Sequence, residues 1–160
     1  LSDSQANWGD SKPLTTRGSN MRRRKKREYM EKGEVSEMLD ILFHAFKIKK
    51  VPIVIKAVDR TYGGEKIQIG LRVRSTLLRM EDIVLHEFAH TLDWIQSGEE
   101  NRIDPKTGKA KHHDVPFCNT LRKVTEVWYG DPSKYQWSGE YATVRKWYNQ
   151  NQICDNKETV

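Results

Sequence analysis

His86-Glu87-Phe88-Ala89-His90 is the part of the chain best suited to chemistry. On an α-helix, positions i and i+4 lie one above the other, so the imidazoles of His86 and His90 can bind one metal ion. Glu87 falls one position round the helix, beside the coordination position left open. A carboxylate there can take a proton from metal-activated water and pass it to a departing amine. The expected ion is Zn2+, whose catalytic sites use three protein ligands and keep one position open. H-E-x-x-H also occurs in unrelated helices as two solvated histidines. Here Ile83, Leu85, Phe88, Ala89 and Leu92 surround the motif with core side chains, which favours the metal site.

A third ligand must come from another element. His113, in His113-Asp114-Val115-Pro116-Phe117, opens an amphipathic helix and is the expected ligand. Glu140, in Gly139-Glu140-Tyr141-Ala142, is its rival, because a later helix can supply a glutamate to zinc. Glu126 is a weaker candidate, and His112 reads as a loop neighbour of His113. Asp93, one turn past His90, either orients a ligand histidine or lies on the helix surface. Tyr129 and Tyr141 are the tyrosines placed to stabilise an oxyanion. His44 reads as a packed structural histidine and Cys118 as a small buried side chain.

H-E-x-x-H followed by H-x-x-x-[F/W] at a helix start resembles the SprT-like and WLM group of small zinc metallopeptidases. The residues that carry the resemblance are His86, Glu87, His90, His113 and Phe117, and it spans about residues 34–128. It implies zinc bound by His86, His90 and His113, with Glu87 as general base. It also implies proteolysis, in some branches of proteins crosslinked to DNA. Asp114 stands where family members often have glycine, and two cysteines cannot build the C-terminal zinc ribbon that many of them carry. HEFAHTLD, residues 86–93, also resembles glutamate-type zincins, in which Glu140 would be the third ligand.

The elements around the motif read as an α+β domain with a small, mainly antiparallel sheet. Val35, Met38, Leu39, Leu42, Ala45 and Phe46 mark a helix over 34–48. Residues 51–58 read as a strand buried on both faces, and 66–74 as an alternating strand. The Gly63-Gly64 turn joins them into an antiparallel hairpin. The edge of 66–74 is then free to align an extended substrate. Ser75 or Thr76 should cap the metal helix, running to about Gln96, and Asp114 should cap the next. A last helix is expected over 138–148.

Of 28 Lys and Arg, six are consecutive: Arg22, Arg23, Arg24, Lys25, Lys26 and Arg27. Without them, basic and acidic residues balance at 22 each, so the net charge of +6 belongs to an arm. Such a run can neutralise phosphates and make salt-sensitive contacts to nucleic acid. The expected organisation is a flexible arm over 1–33, a zincin-like metallopeptidase domain over 34–150 and a polar tail over 151–160. No apolar run approaches the roughly 20 residues of a membrane span. Two cysteines point to the cytoplasm or another reducing compartment. The expected function is zinc-dependent hydrolysis of protein or peptide substrates. The alternatives are a nucleic-acid-binding protein or a structural assembly protein with a vestigial zinc site.

Overall fold

The computed structural model describes residues 27–98 and 102–159, with side chains through Gln152. Arg22, Arg23, Arg24, Lys25 and Lys26 lie outside the described residues. Helix α1, Lys32–Ala45, starts with a capping box in which the Glu31 amide donates to Glu34 Oε1 at 2.8 Å. Val35, Met38, Leu39, Leu42 and Phe43 form its buried face, the stripe that helical periodicity requires. His44 is exposed, against the expectation of a packed histidine. It follows Leu42 and Phe43, and the next position round the helix turns back to solvent.

The sheet corrects the sequence reading most. Among the described residues it has two strands, β1 (Ile53–Lys56) and β2 (Ile67–Gly70), and they run parallel, Ile53 opposite Ile67 and Lys56 opposite Gly70. The Gly63-Gly64 turn does reverse the chain, but it pairs Tyr62 with Gln68 on the far side of β2. Tyr62 and Gln68 exchange two hydrogen bonds of 3.0 Å, while Ile67 donates to the Pro52 carbonyl on the β1 side. Successive residues of a strand direct their backbone groups to opposite sides, so β2 is flanked on both edges. Tyr62 therefore covers at Gln68 the edge that a substrate strand would need.

The burial patterns are exchanged as well. All four residues of β2 are buried, whereas β1 leaves Val54 46% exposed. Gln68 tolerates burial because its side-chain amide donates to the Arg60 carbonyl at 3.0 Å.

Helix α2, Met80–Ser97, packs against α1, β2 and helix α3, Val115–Tyr129. From Met80 to Asp93 every residue is buried except the half-buried Glu81 and His90. Phe88 meets Phe43 of α1 edge-on, ring centres 5.1 Å apart. Neither Ser75 nor Thr76 caps α2, whose N-cap is Arg79. Ser75 Oγ instead accepts from the Leu77 amide, and Thr76 Oγ1 donates to the Gly139 carbonyl. Asp114 caps α3 as expected, its side chain accepting from the Phe117 amide at 3.2 Å.

Two short 3-10 turns, Pro132–Lys134 and Trp137–Gly139, lead to α4, Ala142–Thr159. Residues 151–159, read from sequence as a polar tail, continue α4. A polar composition does not end a helix that meets neither proline nor glycine. Among the described residues no helix is long and apolar enough to cross a membrane.

Gly63 lies against α2. A Cβ there would fall within the van der Waals envelope of the Glu87 carbonyl oxygen, whereas one at Gly33 in α1 meets nothing within 4 Å. Gly63→Ala should therefore destabilise by about 1–3 kcal/mol through overpacking. Gly33→Ala should stabilise by up to about 1 kcal/mol through helix propensity. Urea midpoints of the two variants check both signs, and equal shifts would mean that the Gly63–Glu87 approach is not tight.

Candidate metal centre

His86 and His90 project from one face of α2, and His113, immediately before the N-cap of α3, approaches them from the side. Their Nε2 atoms converge: 3.1 Å between His86 and His113, 3.2 Å between His86 and His90, and 3.3 Å between His90 and His113. These three side chains form a group that could hold a metal ion. Phe117, one helical turn past His113, is fully buried and stacks on the His90 ring at 4.1 Å. It also lies 5.1 Å from the rings of both other histidines, so one aromatic side chain backs all three.

The protonation states suit a ligand set. Burial holds His90 well below the ordinary imidazole value, and the neighbouring His86 charge adds to the effect. Burial, again helped by His86, pushes His113 down to about 4. Both rings are therefore neutral at physiological pH, with lone pairs available. His86 differs. Burial works against its charged form, but the hydrogen bond to Glu140 and the charges of Glu140 and Glu87 together outweigh this and raise it.

Glu140 Oε2 lies 2.9 Å from His86 Nδ1, the ring nitrogen turned away from the other two histidines. The rival third ligand thus stands behind His86, as the carboxylate partner of a histidine. Burial would raise the Glu140 carboxyl, yet hydrogen bonds from His86 and from Tyr135 Oη hold it low. Tyr135 is itself buried. Sequence reasoning missed it, because an aromatic residue between two short turns carries no periodic signal.

Glu87 is 8% exposed and borders a cleft of about 620 Å³ together with His86, Glu140 and Tyr141. Burial pushes its carboxyl up to about 7, against the opposing charge of His86. A carboxyl with that affinity can both accept and return a proton near neutral pH. Tyr141 stacks on His113 at 4.3 Å, is 62% exposed and lines the same cleft. Tyr129 does not belong there: it donates to Asp82 and lies 3.1 Å from Glu81, tying α3 to the start of α2.

The turn before α3 is fixed by Arg102, 4% exposed. Its guanidinium reaches Asp93 Oδ2 at 2.9 Å, Asp114 Oδ2 at 2.9 Å and the Lys111 carbonyl at 2.8 Å. Asp93, expected either to orient a histidine or to lie at the surface, is instead buried in this ion pair. Asp114 serves two partners, the Phe117 amide and Arg102. Arg102 was not singled out in the sequence, since an isolated arginine in a polar stretch has no pattern to mark it.

The remaining candidates lie elsewhere. Glu126 and His112 are exposed, and the His112 ring is 6.2 Å from that of His90. Cys118 is buried and its thiol is pushed up to about 12, first by burial, so it stays protonated. Arg27, the one described member of the basic run, is half-buried and donates to the Ser75 carbonyl at 2.8 Å. The chain matches no family model, no curated protein and no solved structure.

Proposed function

We propose that this protein is a zinc-dependent peptidase of the SprT-like kind, hydrolysing peptide bonds with Glu87 as general base. The observation that carries the reading is the triangle of three Nε2 atoms, 3.1–3.3 Å on a side, beside a buried carboxylate at the wall of a cleft. Nitrogens about 2.0–2.1 Å from one tetrahedral zinc ion lie about 3.3–3.4 Å apart. The donor set, three imidazoles with a carboxylate behind one of them, also fits zinc better than a metal preferring oxygen ligands.

Zinc held by His86, His90 and His113 would supply Lewis acidity, polarising a peptide carbonyl and making water more acidic. Glu87 takes the proton of the attacking water and returns it to the amine that leaves. Glu140 keeps His86 in one tautomer, with Nε2 free. Tyr141, which lines the cleft, would donate to the oxyanion. Peptide alignment, first sought along 66–74, moves to residues 59–61, which line the cleft. In an antiparallel pairing where Tyr62 faces β2, the backbone groups of the preceding Thr61 are directed the other way. An extended peptide can add there as a strand.

Zinc content tests the site. The wild-type chain should bind one zinc, and His113→Ala should lose it after dialysis against a weak chelator. Glu140→Ala should keep the ion with about 10–100-fold weaker affinity, as expected for a residue that holds a ligand without being one. Undiminished affinity in His113→Ala would remove it from the ligand set. Complete loss in Glu140→Ala alone would move the chain to the glutamate-type reading.

A further inference from the structure

We infer that the cleft beside Glu87 binds a carboxylate of the substrate peptide, received by Arg60 and Arg74 at its rim. The inference names the substrate class of the proposed peptidase site and so rests on that reading. The walls of the 620 Å³ cleft carry three guanidiniums, Arg60, Arg74 and Arg145. Among the described residues, Asp59 is the only carboxylate lining it beyond Glu87 and Glu140, which are buried beside the histidines. Arg145 is occupied, donating to the Glu140 carbonyl. Arg60 and Arg74 are exposed, and among the described residues neither is held in an ion pair. Arg60 lies over the Tyr62 ring at 5.6 Å, a contact that orients the guanidinium without neutralising it.

The positive wall continues beyond the cleft. Val73, Arg74, Ser75 and Thr76 also line an adjoining depression of about 560 Å³, which adds Arg27 and Arg72. The floor of the main cleft, by contrast, includes the buried side chains of Val73, Leu77 and Ile83. A rim of cations above an apolar floor suits a side chain with an aliphatic stem and an anionic end, as in glutamate. It equally suits a peptide that ends in a free carboxylate. Guanidinium forks pair with carboxylates through two parallel hydrogen bonds, which gives orientation as well as charge. Arg60 and Arg74 line the same cleft as His86 and Glu87, where the side chains of a bound peptide must lie. That placement favours a peptide carboxylate over the phosphates of a nucleic acid.

The test is equilibrium binding of fluorescent peptides to the zinc-loaded Glu87→Gln protein, with cleavage by the wild type followed separately. Three peptides share one uncharged core. The first carries glutamates and a C-terminal amide, the second uncharged side chains and a free C-terminus, and the third uncharged side chains and an amide. The first or second should bind at least about 10-fold tighter than the third, the scale of one charge-assisted hydrogen bond. The first indicates side-chain carboxylates, the second a terminal one. The preference should shrink in salt and fall to about 1 when Arg60→Ala and Arg74→Ala are combined. Equal binding of all three peptides would overturn the inference, as would a preference that survives the double substitution. Tight binding of a single-stranded oligonucleotide, lost in the double variant and without any carboxylate preference, would assign the arginines to nucleic acid instead. Cleavage reports separately: preference without cleavage leaves the inference standing and removes the peptidase reading, and cleavage without preference does the reverse.

Discussion

Glu87→Gln should lower peptide hydrolysis by about 100- to 10,000-fold while the protein keeps one bound zinc. The substitution preserves the length and nearly the shape of the side chain. It removes only the ability to take and return a proton. Because Glu87 is buried beside the histidine triangle and is not part of it, the ligand set stays intact. Stability supplies a control with a definite sign. Burial raises the folded carboxyl to about 7. Ionised Glu87 therefore costs stability as pH rises from the ordinary unfolded value near 4 to the raised folded one, and the cost is complete above it. A neutral amide avoids that cost, so the zinc-free variant should melt no lower than the zinc-free wild type at pH 8. Full hydrolytic activity in a zinc-loaded Glu87→Gln protein would end the general-base assignment. A large drop in Tm would show that the lost activity reflects damage to the fold.

Some of this arrangement can be read directly from residue spacing. The stripe Val35, Met38, Leu39, Leu42 encodes α1, and Asp114 followed by Pro116 encodes the start of α3, since both signals act over one or two turns. The histidine spacing acts over one turn as well. The sheet was misread because its order depends on what lies beyond each strand. The alternation of Ile67, Gln68 and Ile69 suggests a strand with one wet face, yet Gln68 is covered and satisfied by the Arg60 carbonyl. Parallel pairing over so short a connection is also uncommon, and an intervening Gly-Gly favours the hairpin reading. Glu140 shows the same limit within the site. Its residue type allowed metal ligation, but only three-dimensional placement puts it on the Nδ1 side of His86. Arg102 acts through three contacts to Asp93, Lys111 and Asp114, and Tyr135 through its hydroxyl on Glu140, spacings that match no periodic pattern.

Arg102→Met should cost about 3–5 kcal/mol of stability, the usual effect of removing one partner from a buried ion pair. The large magnitude follows from what remains: Asp93 is 2% exposed and loses its cation, and Asp114 and the Lys111 carbonyl each lose a donor. The sign with pH is also fixed. Burial pushes the Asp93 carboxyl above its ordinary value and Arg102 opposes that rise. Without the arginine the folded value climbs further. The deficit of the variant should then be greatest at neutral pH and above. It should shrink as pH falls through the folded value, where Asp93 takes up a proton and no longer needs a cation. Denaturation of the zinc-free proteins in urea at pH 7.5 and pH 5 measures the difference. Zinc affinity provides a second readout, because Arg102 joins α2 at Asp93 to the turn that delivers His113. Loosening that turn leaves His86 and His90 in place and gives the third ligand freedom that zinc binding must then remove. Arg102→Lys keeps the charge but cannot reach both aspartates and the carbonyl with one ammonium, so it should fall between the wild type and the methionine variant. If both variants match the wild type in stability and in zinc affinity, the position of His113 is set by the Asp114 cap and Phe117 packing alone.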